Sequence, residues 1–276
     1  MSAARGALHL VPVPVSPSDQ WGDPAAPVGA QAEDRASALG GLPPATVATA
    51  RRCDYFLAEN ARSARAFLKA IAHPRPIAQL NIVEIGHAPD PVLVDAWLDP
   101  LDPGAGGAPV DAVLVSEAGC PGIADPGASV AARAHARGIA VMPWVGPSAI
   151  LLALMGAGMN GQAFRFLGYL PQDRDALQQR LLAVQRDALR GETQIFIETP
   201  YRNLRLLQAV LQVCDASLLL CLAVDLTGAA QALETRSIAQ WKALGPSGWP
   251  AMERRAAVFL LCAPAAPLSG ARGRRS

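Results

Sequence analysis

Residues 111–138 read DAVLVSEAGCPGIADPGASVAARAHARG, a short β-branched apolar run, a loop with three glycines and two prolines, and a helical pattern that closes on Gly138. A strand that passes into a helix through a tight loop is half of a βαβ unit, so the pattern commits the chain to an α/β sheet crossed by helices. Loops of this kind are where such sheets hold ligands. Gly119 and Gly122 let a ligand approach the main chain, Pro121 and Pro126 stiffen the loop, and Asp125 stands where it caps a helix opening at Pro126. Taken alone, these residues describe a capped turn more readily than a binding loop.

The flanking segments repeat the alternation. LHLVPVPV (8–15) reads as a buried first strand ending in prolines, and 17–44 as a mobile loop rich in Pro, Ala, Gly and Asp. TVATARRC reads as a helix and DYFLAE (54–59) as a strand. Asn60 caps ARSARAFLKAIA, whose Ala64, Phe67, Leu68 and Ile71 recur at helical spacing. Strands near QLNIVEI and over Ile139–Met142, a helix near PVLVDAWL and another from Pro147 complete a first half expected to build a mainly parallel sheet. A second α/β half follows through FRFLGYLP, a polar helix over 173–190, TQIFIET, NLRLLQAVLQV, SLLLCLAVDL, a helix near SIAQWKAL and the strand AAVFLLC. The expected organisation is two domains, 1–166 and 167–263, then a disordered basic tail over 264–276 that carries Arg272, Arg274 and Arg275.

Composition narrows the function classes. The net charge is +1 over 276 residues, so no global basic field announces a polyanionic partner. Five cysteines without CxxC spacing give neither a disulfide framework nor a zinc site, and a cytoplasmic location is expected. Residues 139–164 carry no charge, but Pro143, Gly146, Pro147, Gly156 and Gly158 break them into an enclosed strand and helix, not a membrane span. Neither GxGxxG nor a P-loop is present, and His9, His73, His87 and His135 lack metal-ligand spacing, so no metal is expected.

VSEAGCPGIADPG, PWVGPSA, FLGYLP and IFIETPYR occur in that order along the chain. Together with the proline-rich first strand and AVDLT they resemble the tetrapyrrole-methylase-fold S-adenosylmethionine methyltransferases. Within that family they are similar to the branch that methylates a cytidine ribose 2′-hydroxyl in 16S ribosomal RNA. The resemblance runs from about His9 to Cys262. It implies two α/β domains with the cofactor cleft between them, a homodimer, and ribosomal RNA or the small subunit as partner. Carried over residue by residue, it implies S-adenosylmethionine contacts at Pro14, Ser116, Glu117, Gly119, Cys120, Ile123, Ser148, Ala149 and Leu226. The matching segments offer Glu59, Glu198 and Asp225 as general bases, Arg202 as a phosphate ligand and Tyr201 as a stacking platform.

The chain also departs from the branch. Ser16-Pro17-Ser18 replaces its Gly-Asn-Leu, Asn60 replaces an acid, AVDLTG lacks two basic residues, and its C-terminal helical segment has no counterpart here. Fewer cations predict weaker and less salt-dependent RNA binding than in a full-length member of that branch. Three readings therefore stand: an RNA ribose methyltransferase, a methyltransferase acting on a small tetrapyrrole-like molecule, and a non-catalytic S-adenosylmethionine-binding protein.

Overall fold

A computed structural model describes residues 5–16, 21, 39, 41–103 and 107–264. Most of the expected loop over 17–44 and nearly all of the expected tail over 264–276 lie outside the described residues. The chain divides into two compact units between Ser148 and Ala149.

The first unit alternates strand and helix: β1 (Ala7–Leu10), α1 (Pro44–Arg52), β2 (Tyr55–Ala58), α2 (Ala61–Ala70), β3 (Asn81–Glu84), α3 (Pro91–Leu98), β4 (Ala112–Val115), α4 (Gly127–Ala136) and β5 (Ala140–Pro143). The five strands form one sheet in the order β3-β2-β4-β1-β5, and each described pairing is parallel. Both faces are covered, which explains why β2 and β4 are apolar throughout rather than alternating. Phe56, Ala58, Val113 and Val115 pack with Phe67 and Leu68 of α2, while Tyr55, Leu57 and Leu114 pack with Leu98 of α3 and Val130 of α4. Trp21 joins the first of these layers, edge-on to Phe67, and donates its indole N–H to Ser16 O at 2.8 Å.

β1 ends at Leu10, three residues into the expected 8–15 strand, because Pro12 and Pro14 cannot donate to a ladder. Pairing continues through the alternate residues, Val11 N–H to Leu114 O at 3.0 Å and Val13 N–H to Gly119 O at 2.9 Å.

The second unit contains α5 (Ala149–Ala157), β6 (Phe164–Tyr169), α6 (Arg174–Leu189), β7 (Thr193–Glu198), α7 (Asn203–Val213), β8 (Leu219–Val224), β9 (Ala232–Ser237), α8 (Ile238–Leu244) and β10 (Ala257–Cys262). Its sheet runs β6-β7-β10-β8-β9; β6 and β7 are parallel and the remaining pairs antiparallel. On one face Phe196 and Phe259, opposite one another across the ladder, stack at 5.6 Å among Leu181, Leu207, Val210 and Trp241. The buried Trp241 indole donates to Leu220 O at 2.9 Å. α5 lies against β8, β9 and β10.

Two features differ from the sequence reading. The division falls at 148/149 rather than 166/167, because α5 and β6 both pack into the second sheet. The strand β9 was not expected. ALETRS has no apolar alternation, and its residues are all half-buried, held by the ladder to β8 and by Thr235 Oγ1 donating to Ala157 O at 2.9 Å.

Candidate functional site

Because the strands of the first sheet run the same way, the chain leaves all five at one edge, the position where open α/β sheets hold ligands. Three of these exits close on Gly119. The loop after β1 reaches it through the isolated bridge Val13–Gly119. The loop after β5 reaches it through Pro147, whose carbonyl accepts the Cys120 thiol at 3.3 Å. Gly119 has φ +70°, a backbone conformation that side-chain-bearing residues rarely adopt. A Cβ there has room, 3.6 Å from Pro147 O, so backbone conformation rather than crowding selects glycine. Gly146 is selected by space, because a Cβ would stand 2.3 Å from Pro12 Cβ.

The structure gathers Pro14, Ser116, Glu117, Gly119, Cys120, Ile123 and Ser148 on these loops. Pro14, Ser116 and Ser148 are buried, and the Ser116 hydroxyl donates to Ala118 O at 3.2 Å, shaping the turn. Ile123 presents an exposed apolar side chain. The Cys120 thiol is pushed up by burial and then by the Asp125 charge, so it stays protonated. Asp125 holds the loop in shape: its Oδ1 accepts from Gly122 N at 2.8 Å and from Gly127 N at 2.7 Å, in the first turn of α4. Burial nevertheless raises its carboxyl above the ordinary value, outweighing the N–H donors of Gly122, Gly127 and Ile123.

Glu59, at the end of β2, stands beside the same wall. Its Oε2 accepts from Glu117 N at 3.1 Å, and its Oε1 accepts from His87 Nδ1 at 3.0 Å. The side chain is 13% exposed, and burial raises its carboxyl. The Glu117 N–H and His87 pull the other way, while the charges of Glu117 and Asp125 add to the rise. His87 was missed in the sequence: it lies 28 residues from Glu59, and only the parallel pairing of β2 with β3 brings the two together. Asn60 caps α2 as expected, accepting from Arg62 N at 2.8 Å and Ser63 N at 3.3 Å, so the helix start is satisfied without an acid.

The remaining candidates lie in the second unit. Ala257 of β10 pairs with both Glu198 and Val224, which sets the ends of β7 and β8 at one level of that sheet. Glu198 is 8% exposed at its side chain and meets Arg202 Nη2 at 2.6 Å, while also accepting from Thr199 N at 2.7 Å. Arg202 Nε is buried without a hydrogen-bond partner. Asp225 is engaged in its own turn, with φ +49° and a carboxylate accepting from Ala230 N at 2.9 Å. Leu226 is buried, Ala149 opens α5, and Tyr201 is 82% exposed.

Among the described residues, His9, Cys53 and Asp111 place their ligand-type atoms within 4.8 Å of one another. The Trp144 indole N–H donates to His9 Nδ1 at 3.1 Å, so the neutral ring carries its proton on Nε2, facing Asp111 Oδ2 at 3.4 Å. Cys53 is pushed up to about 11, chiefly by burial.

No family model matches the chain. Among solved structures, the methyltransferase CobJ aligns over 94% of this chain and 95% of its own, with TM-score 0.58 and 16% identity. Uroporphyrin-III-C-methyltransferase from Thermus thermophilus covers 94% and 92% with TM-score 0.52 at 13% identity, and cobalt precorrin-4 methyltransferase, CbiF, covers 93% and 94% with TM-score 0.53 at 10%. The chain has the tetrapyrrole methylase fold. In sequence it is similar to Ribosomal RNA small subunit methyltransferase I of Vibrio cholerae, 33% identical over 127 residues, which are 46% of this chain and 43% of that protein. The protein of the same name from Pseudomonas aeruginosa is 42% identical over 94 residues, 34% of this chain and 32% of the relative. That of Leptospira borgpetersenii is 31% identical over 174 residues, 60% of this chain and 59% of the relative. The matched stretches therefore span between 32% and 59% of these relatives' lengths.

Proposed function

We propose that this chain is an S-adenosylmethionine-dependent methyltransferase that methylates a ribose 2′-hydroxyl of small-subunit ribosomal RNA. The observation that carries the reading is the wall of main chain closed around Gly119, at the carboxyl edge of a sheet whose fold is shared with solved methyltransferases. The sequence relatives named ribosomal RNA small subunit methyltransferase I direct it toward RNA.

The chemistry fits the residues present. S-adenosylmethionine supplies an electrophilic methyl on a cationic sulfur. Pro14, Ser116, Glu117, Gly119, Cys120, Ile123 and Ser148 would hold it, mostly by main chain. A protonated Cys120 thiol is a poor nucleophile and coexists with such a donor. A ribose hydroxyl is a weak nucleophile and needs its proton removed. Glu59, whose proton affinity burial has raised, is assigned that role, and Glu198 is assigned the holding of Arg202 toward a phosphate. Positioning supplies much of the remaining rate.

In this reading the protein works in the cytoplasm as a homodimer. All five cysteines are unpaired, as a reducing compartment requires, and no helix among the described residues is long and apolar enough to cross a membrane. A second copy would cover β5, an edge strand of the first sheet with Met142 exposed.

The test is transfer of labelled methyl from S-adenosylmethionine to small ribosomal subunits lacking the modification, with a Gly119→Arg variant as control. Label in the RNA that vanishes with the variant supports the assignment. Cofactor binding without transfer to RNA would move the search to tetrapyrrole-like small molecules or to a non-catalytic role.

A further inference from the structure

A groove of about 500 Å³ runs between α6 and α7 in the second unit. Its position follows from topology. β6 and β7 are parallel, so the helices that follow them both return antiparallel to the sheet and lie parallel to each other, with their N-termini at the carboxyl edge of β6 and β7. Arg174, Gln178 and Leu182 follow at four-residue spacing on one face of α6. Arg205, Gln208 and Gln212 present the facing row on α7. All six are exposed, and none of the residues lining the groove is acidic.

The groove continues onto the candidate site. Leu177 and Arg205 also line a small cleft of about 10 Å³ with Gln172, Glu198 and Arg202, so the groove adjoins the ion pair at the end of β7. Arg205 is steadied there by donating from Nη2 to Gln172 O at 3.0 Å, and Arg202 brings its buried, unpartnered Nε. Three arginines thus follow one another along a concave track, at the positive ends of two helices. Scattered cations and glutamines on solvated helix faces are commonplace. Their convergence from two helices on one acid-free groove that ends at a candidate phosphate ligand is not explained by solvation.

We infer that this groove takes a single-stranded stretch of RNA. Its phosphates lie on Arg174 and Arg205, and its sugars and base edges lie against Gln178, Gln208 and Gln212. Guanidinium groups match phosphate in a two-pronged geometry, and a carboxamide both donates and accepts, as 2′-hydroxyls and exposed bases require. The groove supplies the phosphate contacts that AVDLTG lacks, and the class of partner rests on the ribosomal RNA reading above.

Binding of a fluorescein-labelled oligouridylate to the full chain, followed by anisotropy across a salt series, tests the assignment. The Arg174→Ala/Arg205→Ala variant should bind at least about tenfold more weakly at low salt, the loss expected when charge-assisted hydrogen bonds are removed. Its log–log salt slope should fall by roughly 1.4, about 0.7 for each of two phosphates. Arg180→Ala, on α6 but outside the groove, should bind like the parent, and cofactor binding by calorimetry should be the same in all three proteins. An unchanged affinity and slope in the double variant would overturn the inference, as would polyglutamate competing as well as RNA. The outcomes separate the two proposals. A parent that binds RNA through the groove yet leaves small subunits unlabelled sinks the methylase reading alone. A double variant that methylates and binds like the parent sinks the groove alone.

Discussion

Val13 and Gly119 meet in an isolated antiparallel bridge, at the edge of a sheet whose paired strands all run parallel. The bridge ties the proline-bearing exit of β1 to the glycine-rich exit of β4, and it presents Gly119 with φ +70°. Gly119→Ala should cost roughly 1 kcal/mol of stability from the left-handed backbone alone. Gly119→Arg should fold with a similar loss and place a long cationic side chain on the wall. Calorimetry should then detect no S-adenosylmethionine binding by Gly119→Arg. Binding at the parent's affinity would show that the wall lies elsewhere.

Glu59 and Asp125 share one sign of pH dependence. Each carboxyl is raised above its ordinary value, 4.5 and 3.8, by burial. The native state therefore holds each proton more tightly than the unfolded state, and stability falls as pH rises from those ordinary values through the raised ones. Urea melts between about pH 4 and pH 7 should show that decline, and Glu59→Gln/Asp125→Asn should flatten it. A decline that survives in the double variant would locate the titration in other groups.

Arg202 compensates a carboxylate that is 8% exposed. Arg202→Ala should destabilise the second unit by roughly 1–3 kcal/mol, because Glu198 loses its cationic partner and keeps the Thr199 amide. Adding Glu198→Gln should recover part of that loss, read as a coupling in a double-mutant cycle by thermal melting. Additive losses would mean that the pair is not coupled in solution.

Asn60 has a structural function, accepting from two first-turn amides of α2. Asn60→Ala should lower stability by about 1 kcal/mol, whereas Asn60→Asp should stay within a few tenths. A large effect of Asn60→Asp on methyl transfer, with stability unchanged, would show that the position acts on chemistry as well.

The first sheet was legible because its strands are apolar runs separated by turn residues and capped helices. PVLVDAWL and NLRLLQAVLQV became α3 and α7 with their expected residues. β9 was not legible, since ALETRS is held by its neighbour's ladder and not by its own pattern. The loop residues around Gly119 were readable from glycine and proline spacing. The approach of His87 to Glu59 and the facing rows of α6 and α7 were not, because each depends on strand order, which local periodicity does not encode.

A wall made of amides and carbonyls does not write the identity of its occupant into side chains. Around Gly119 the shape rests on torsion angles, on the absence of a Cβ at Gly146 and on the Asp125 carboxylate that ties Gly122 to Gly127. In the proposed reading that wall holds the methyl donor, so a change of acceptor needs new side chains on α6 and α7 and none on the donor's wall.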